Sequence, residues 1–151
     1  MAPPVVEIRP LQAADQAAWM PLWRGYQTFY KVVIPDGVSA VTLARLTGGD
    51  PQMGGALAWA GGRALGLVHH IEHRSCWTVA NYFYLQDLYV AEDARGTGIG
   101  RALIEYVYRL ANERGLNRVH WLTHETNLTG MQLYDRIADK SGFVQYRKLM
   151  T

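Results

Sequence analysis

Apolar residues recur along this chain at two spacings, one of strands and one of helices. Val5–Arg9 reads as a first strand. Trp19, Leu22, Trp23, Tyr26, Phe29 and Tyr30 then fall at helical spacing, with Asp15 as a plausible cap and Pro21 either in the first turn or at a kink. Pro35-Asp36-Gly37 is a turn, after which Ser39 caps a short helix through Leu46. Gly54–Ala60 and Arg63–His73 are strands joined at Gly61-Gly62, a hairpin signal. Arg74–Asn81 is a loop and Tyr82–Val90 the next strand. Ile99, Leu103, Tyr106, Val107 and Leu110 form one helix face, with Arg101, Glu105, Arg109 and Glu113 opposite and Gly115 at the C-cap. Arg118–Thr123 is a strand, Leu128–Lys140 a helix capped by Asn127, and Phe143–Met150 a last strand. This β-α-α-β-β-β-α-β-α-β order predicts an α/β fold, a mixed sheet covered by helices.

The strand–turn–helix at Tyr82–Glu113 carries the strongest chemical signal. Gly96, Gly98 and Gly100 remove the Cβ atoms that would keep a ligand from the backbone. The N–H groups of the turn and helix start converge there, and the helix dipole adds positive potential, which makes an anion site of the phosphate kind. A Walker loop needs Lys-Ser/Thr after its last glycine, whereas Arg101-Ala102 follows Gly100. The dinucleotide fingerprint fails as well, because Arg101 stands where its third glycine belongs.

Length and composition narrow the setting. A chain of 151 residues implies one domain, 1–151, able to bury a core. With 49% hydrophobic and 19% charged residues it has the make-up of an ordinary globular protein. A net charge of +2, with the basic residues scattered, points to neither nucleic acid nor membrane. The single cysteine, Cys76, excludes an internal disulfide and a cysteine metal cluster. No secretory leader or membrane span is read, so the expected location is cytoplasmic.

The string Arg95-x-x-Gly98-x-Gly100, preceded by Leu88-Tyr89-Val90 and followed by a long amphipathic helix, resembles the coenzyme A pyrophosphate loop of the GCN5-related N-acetyltransferases (GNAT). Asn127, Leu133-Tyr134 and Gly142-Phe143 resemble the second half of that family's pattern. Tyr84–Val90, Val119-His120-Trp121 and Thr123–Asn127 are most similar to the yeast histone/polyamine acetyltransferase subgroup. About one extra helical turn separates Tyr134 from Gly142 relative to the usual family spacing. The resemblance implies a mostly antiparallel sheet splayed between its fourth and fifth strands. It implies acetyl-CoA as co-substrate, no metal, and binding through Leu88, Tyr89, Val90, Arg95, Gly96, Thr97, Gly98, Ile99, Gly100, Arg101 and Asn127. It also implies direct acetyl transfer to a primary amine of a small molecule, polyamine, amino acid or protein, or alternatively a silent coenzyme A-binding sensor or interaction module, and a homodimer formed through the C-terminal region.

Acetyl transfer from a thioester needs a neutral amine, a polarised carbonyl and a proton for the thiolate. Backbone N–H groups at the end of strand Leu88–Val90 can polarise the carbonyl if the neighbouring strand leaves them unpaired. Tyr134 fits the proton donor, and equally fits a core position on the face Leu128, Met131, Tyr134, Ile137. Asp87, a carboxylate in a strand that otherwise looks buried, is the candidate base, with a capping or salt-bridged role as the alternative. Glu125 is a second candidate, or a solvated side chain. Gln86 faces opposite to Asp87 and can position substrate or water, while Tyr26 and Tyr30 either wall an acceptor pocket or pack in the core. His69 and His73 share a strand face, but no carboxylate is patterned to join them. They and His70 read as exposed or hydrogen-bonded strand residues, not metal ligands.

Overall fold

The structure is a computed structural model and describes residues 5–150. Five strands form one sheet whose spatial order is the order in the chain: β1 (Glu7–Pro10), β2 (Met53–Ala60), β3 (Arg63–His73), β4 (Tyr82–Val90) and β5 (Arg118–His120). Neighbours are antiparallel except β4 and β5, which run parallel. The helices are α1 (Gln16–Phe29), α2 (Asp36–Ala44), α3 (Ile99–Glu113) and α4 (Leu128–Ile137). The chain divides into two compact units, one ending at Trp121 and one beginning at Leu122.

In the first unit β2 and β3 are buried in continuous runs, as strands covered on both faces must be. Helix α1 covers one face with Trp19, Leu22 and Trp23 packed near Leu57 and Leu67. Helix α3 covers the other with Ile99, Leu103, Ile104 and Val107. Leu57, Leu67, Val68, Phe83, Leu103 and Ile104 are fully buried, each stabilising the fold by about 1.5–3 kcal/mol. The α1 helix runs unbroken through Pro21.

The β3–β4 ladder contains an irregularity that decides which side chains meet. His69 pairs with Asp87 and His70 with Leu85, so Gln86 is an extra, bulged residue. In an unbroken strand, residues three apart face opposite ways. Here Ile71, two residues beyond His69, pairs with Tyr84, so Tyr84 and Asp87 both face α1.

Beyond Tyr84, β5 supplies no ladder partner to Leu85–Val90, since the parallel pairing covers only Tyr82–Tyr84 against Arg118–His120. The sheet is therefore splayed between β4 and β5, and the expected strand Arg118–Thr123 shortens to Arg118–His120.

Three other expectations are corrected. Ser39 caps nothing; it lies inside α2, buried, and accepts a hydrogen bond from Trp23 Nε1 at 3.0 Å. Helix α4 stops at Ile137, because Ala138 turns extended as its N–H closes onto the Tyr134 carbonyl, so the extra turn before Gly142 is not helical. Phe143–Met150 forms no strand: among the described residues the second unit has no strand to pair with it, and a ladder needs a partner. In the second unit Asn127 does cap α4, its Oδ1 accepting from Gly130 N at 3.3 Å.

Candidate active site

Strand β4 delivers the chain from a buried carboxylate to a glycine-rich turn. After Val90 a short 3₁₀ turn, Glu92–Ala94, leads to Arg95, and α3 begins at Ile99. Gly96 (φ +77°) and Gly98 (φ +85°) occupy the left-handed region, and Gly98 is the N-cap residue without a side-chain cap. Ala102 N–H makes the first intrahelical bond to Gly98 O, so Ile99, Gly100 and Arg101 present their N–H groups at the helix start. Ile99 is buried and fixes that end on the sheet. Thr97 Oγ1 donates to the Ala94 carbonyl, and Arg101 pairs along the helix with Glu105 at 2.9 Å. Arg95 donates Nε–H to Val90 O at 3.1 Å, its guanidinium 5.4 Å from the ring centroids of both Phe29 and Tyr89. Gly25 of α1 makes this stack possible, since a Cβ there would stand 2.5 Å from the Tyr89 hydroxyl oxygen.

On the α1 face of β4, Asp87 is buried. Its Oδ2 lies 2.9 Å from His69 Nδ1, and the Tyr26 hydroxyl donates to the same carboxylate. Trp19 Nε1 donates to His69 Nε2 at 3.0 Å, and Trp23 lies with its ring 5.2 Å from that imidazole. Burial first, and then the Asp87 charge, pushes the Tyr26 hydroxyl far above the ordinary tyrosine range, so Tyr26 stays a donor. The same two causes raise Tyr84. Tyr30 stands 4.8 Å from Tyr26, ring to ring. Further along this face His120 stacks on Tyr84 at 5.1 Å and meets His73, Nε2 to Nε2, at 2.8 Å. Burial, then His73 and Arg118, hold His120 below the usual imidazole range.

Tyr26, Tyr30, Tyr84 and Asp87 are thus brought together by α1 and β4, and Leu88–Val90 continue the same strand to the glycine turn. Gln86 is exposed on the bulge. In the second unit Glu125 lies exposed in a turn, Asn127 caps α4, and Tyr134 is half-buried on that helix. The expectation that no carboxylate joins the histidines is corrected: Asp87, across the ladder, binds His69. The eight-residue loop Arg74–Asn81 fixes no register from sequence, and the bulge at Gln86 defeats counting by twos. His69 and His70 are both buried, and His70 Nδ1 has no hydrogen-bond partner, so the latter is neither exposed nor hydrogen-bonded there. Among the described residues no group of three His, Cys, Asp or Glu could hold a metal, and no helix is long and apolar enough to cross a membrane.

The family model described as Acetyltransferase (GNAT) family matches residues 19–138. This chain belongs to that family. The D-amino-acid N-acetyltransferase HPA3 of Saccharomyces cerevisiae is 38% identical over 145 residues, covering 95% of this chain and 90% of the relative. Among solved structures, a ribosomal-protein-alanine N-acetyltransferase from Brucella melitensis biovar Abortus 2308 shares the fold with a TM-score of 0.82 at 24% identity, covering 97% of this chain and all (100%) of the other. The aminoglycoside acetyltransferase AAC(6')-Iy, solved with a coenzyme A-linked bisubstrate analogue, has a TM-score of 0.85 at 15% identity over 97% of this chain and 99% of its own. As a GNAT enzyme the chain is an acetyl-CoA-dependent N-acetyltransferase.

Proposed function

We propose that this GNAT enzyme transfers acetyl directly from acetyl-CoA to the primary amine of a small molecule, amino acids and polyamines being the first classes to test. The observation that carries the reading is the placement of both halves of the chemistry along β4. Asp87 sits among Tyr26, Tyr30 and Tyr84, and the glycine turn stands at the strand's end. The residues fit the coenzyme. Positive-φ glycines without side chains and the free N–H groups of Ile99, Gly100 and Arg101 suit a pyrophosphate, with Leu88–Val90, Arg95, Thr97 and Asn127 as its further contacts. When bound, acetyl-CoA supplies the acetyl thioester.

Asp87 takes the proton from the acceptor ammonium, leaving the amine lone pair to attack the thioester carbon. The β4 backbone beyond Tyr84, which β5 does not pair, supplies N–H dipoles to the carbonyl oxygen. Tyr134 gives its phenolic proton to the sulfur as the C–S bond breaks, and the second proton lost by the attacking nitrogen as it becomes the amide restores the phenol. Tyr26 and Tyr30 wall the acceptor, Gln86 orients it from the bulge, and Glu125 is the alternative base. We read the two units as one working domain, 1–151, because the family match at 19–138 runs through the division between them. The yeast relative, named for D-amino acids, supports an amino acid acceptor here. The setting is cytoplasmic on this reading. The exposed Phe143, Val144, Tyr146, Leu149 and Met150 support a homodimer, which light scattering tests as twice the 17.0 kDa chain mass.

Thiol release from acetyl-CoA across a panel of D- and L-amino acids, polyamines and aminoglycosides tests the reaction. Release with at least one small amine is expected. Acetyl-CoA binding with no release on any amine would instead establish a silent coenzyme A-binding module.

A further inference from the structure

The carboxylate at the centre of the α1 face is held by a chain of groups whose proton positions follow from chemistry alone. Indole nitrogen only donates. Trp19 Nε1 at 3.0 Å from His69 Nε2 therefore makes Nε2 the acceptor. A neutral imidazole with Nε2 accepting must carry its hydrogen on Nδ1, and Nδ1 lies 2.9 Å from Asp87 Oδ2. Trp19 is 0% exposed, His69 2% and Asp87 8%, so water does not compete for these bonds.

We propose that Trp19 and His69 are positioning residues of the acetyl transfer: Trp19 locks His69 in its Nδ1–H tautomer, and His69 holds Asp87 as an oriented carboxylate toward the acceptor amine. The proposal rests on Asp87 as the group that takes the amine proton. Two of the carboxylate's lone-pair sites are then committed, one to His69 and one to the Tyr26 hydroxyl. The others are left for the acceptor.

The lock also opposes a second proton on Nε2, which would point at the Trp19 N–H 3.0 Å away. A full imidazolium–carboxylate pair would compete with the acceptor ammonium for Asp87, whereas a neutral donor orients the carboxylate and leaves its charge for the substrate. The ionisable groups around this pair are Tyr26 and Tyr30 at α1, Tyr84 from β4, and His70 beside His69 on β3. Tyr26 and Tyr84, both raised by burial and by Asp87, stay protonated and bring no charge to the pair, and the His70 ring lies on the opposite face against Phe83.

Long-range ¹H–¹⁵N spectra of the labelled enzyme read the tautomer directly. The expected result is one His69 with Nδ1 protonated and Nε2 bare through neutral pH. An Nε2–H tautomer or an imidazolium at neutral pH would overturn the proposal, whatever the variants do.

Three substitutions then move the acidic limb of the kcat/KM profile in different directions. His69→Leu removes the donor that favours the carboxylate and moves that limb to higher pH. His69→Asn restores an N–H near the Nδ1 position and returns the limb toward the parent. Trp19→Phe frees Nε2 to take a proton, so a His69 titration appears in the spectra and the limb moves to lower pH. Equal shifts in the Leu and Asn variants would mean that His69 only fills space, and would overturn the positioning role. If His69→Leu does not fold, the parent spectrum and the Asn and Phe variants still decide. Asp87→Asn separates the two levels: a retained acidic limb there removes Asp87 as the base, while the parent spectrum still reports on the tautomer lock.

Discussion

His69 and His70 are adjacent in sequence, both almost fully buried, and opposite in every chemical respect. His69 faces α1 with both ring nitrogens engaged, by Trp19 and Asp87. His70 faces the α3 side against Phe83, its ring 4.7 Å away, and its Nδ1 has no partner. Burial, then Arg114 and His69, push it down to about 4. The α1 side therefore spends buried polar groups on a connected network, while the α3 side treats an imidazole as packing. A satisfied polar network inside a core costs nothing further and aims its members, whereas an unsatisfied ring is tolerated only while neutral. On the proposed function, the chemistry belongs to the α1 face of β3 and β4, and the α3 face holds the glycine turn in place.

The largest effect tests the one functional part of the α3 side. Gly98→Val puts a β-branched residue at φ +85° and blocks backbone approach, and acetyl-CoA binding by calorimetry should vanish with the far-UV spectrum preserved. On the α1 face, Asp87→Asn should lower kcat/KM by about 10²–10⁴-fold and flatten its acidic limb. Phe83→Leu, on the α3 face, should leave the rate within a few-fold while costing about 1 kcal/mol in denaturant unfolding. A comparable rate loss in both would break the comparison. Tyr134→Phe should lower kcat by about 10²-fold with coenzyme affinity within a few-fold, measured where single-turnover rates show chemistry to be limiting.

The next effect is on stability. Unfolded chains take a proton on His70 near 6.5, and the folded protein resists until about 4. The unfolded state thus binds more protons in that window, and stability falls as pH drops through it, by about 3 kcal/mol in all. His70→Leu should flatten this acid-side slope in urea titrations, and an unchanged slope would show that His70 finds a partner. The smallest effect belongs to the exposed pair Arg63–Asp93 at 2.9 Å, where solvent screens the charges and Arg63→Ala should leave the urea midpoint essentially unchanged.

Much of this was legible in the sequence because it is local. The Gly61-Gly62 hairpin, the apolar faces of α1 and α3, and the strand–glycine–helix unit all follow from neighbouring residues, and the structure has each. What escaped is long-range. The His69–Asp87 bond depends on a register set across an eight-residue loop and a bulge. Ser39 looks like a cap in sequence, yet serves a tryptophan sixteen residues earlier. Phe143–Met150 has the composition of a strand, but a strand exists only where another offers its edge.

The bulge at Gln86 has a consequence for protein engineering. It is an insertion frozen into a strand, and it sets two phases of alternation, one for Tyr82–Leu85 and one for Asp87–Val90. A chimera joined within Tyr82–Val90 to a relative with a straight strand would keep every residue type and yet turn Tyr84 away from Asp87. Tyr82–Val90 is therefore a single cassette, to be exchanged whole together with the His69–His73 stretch that reads its phase.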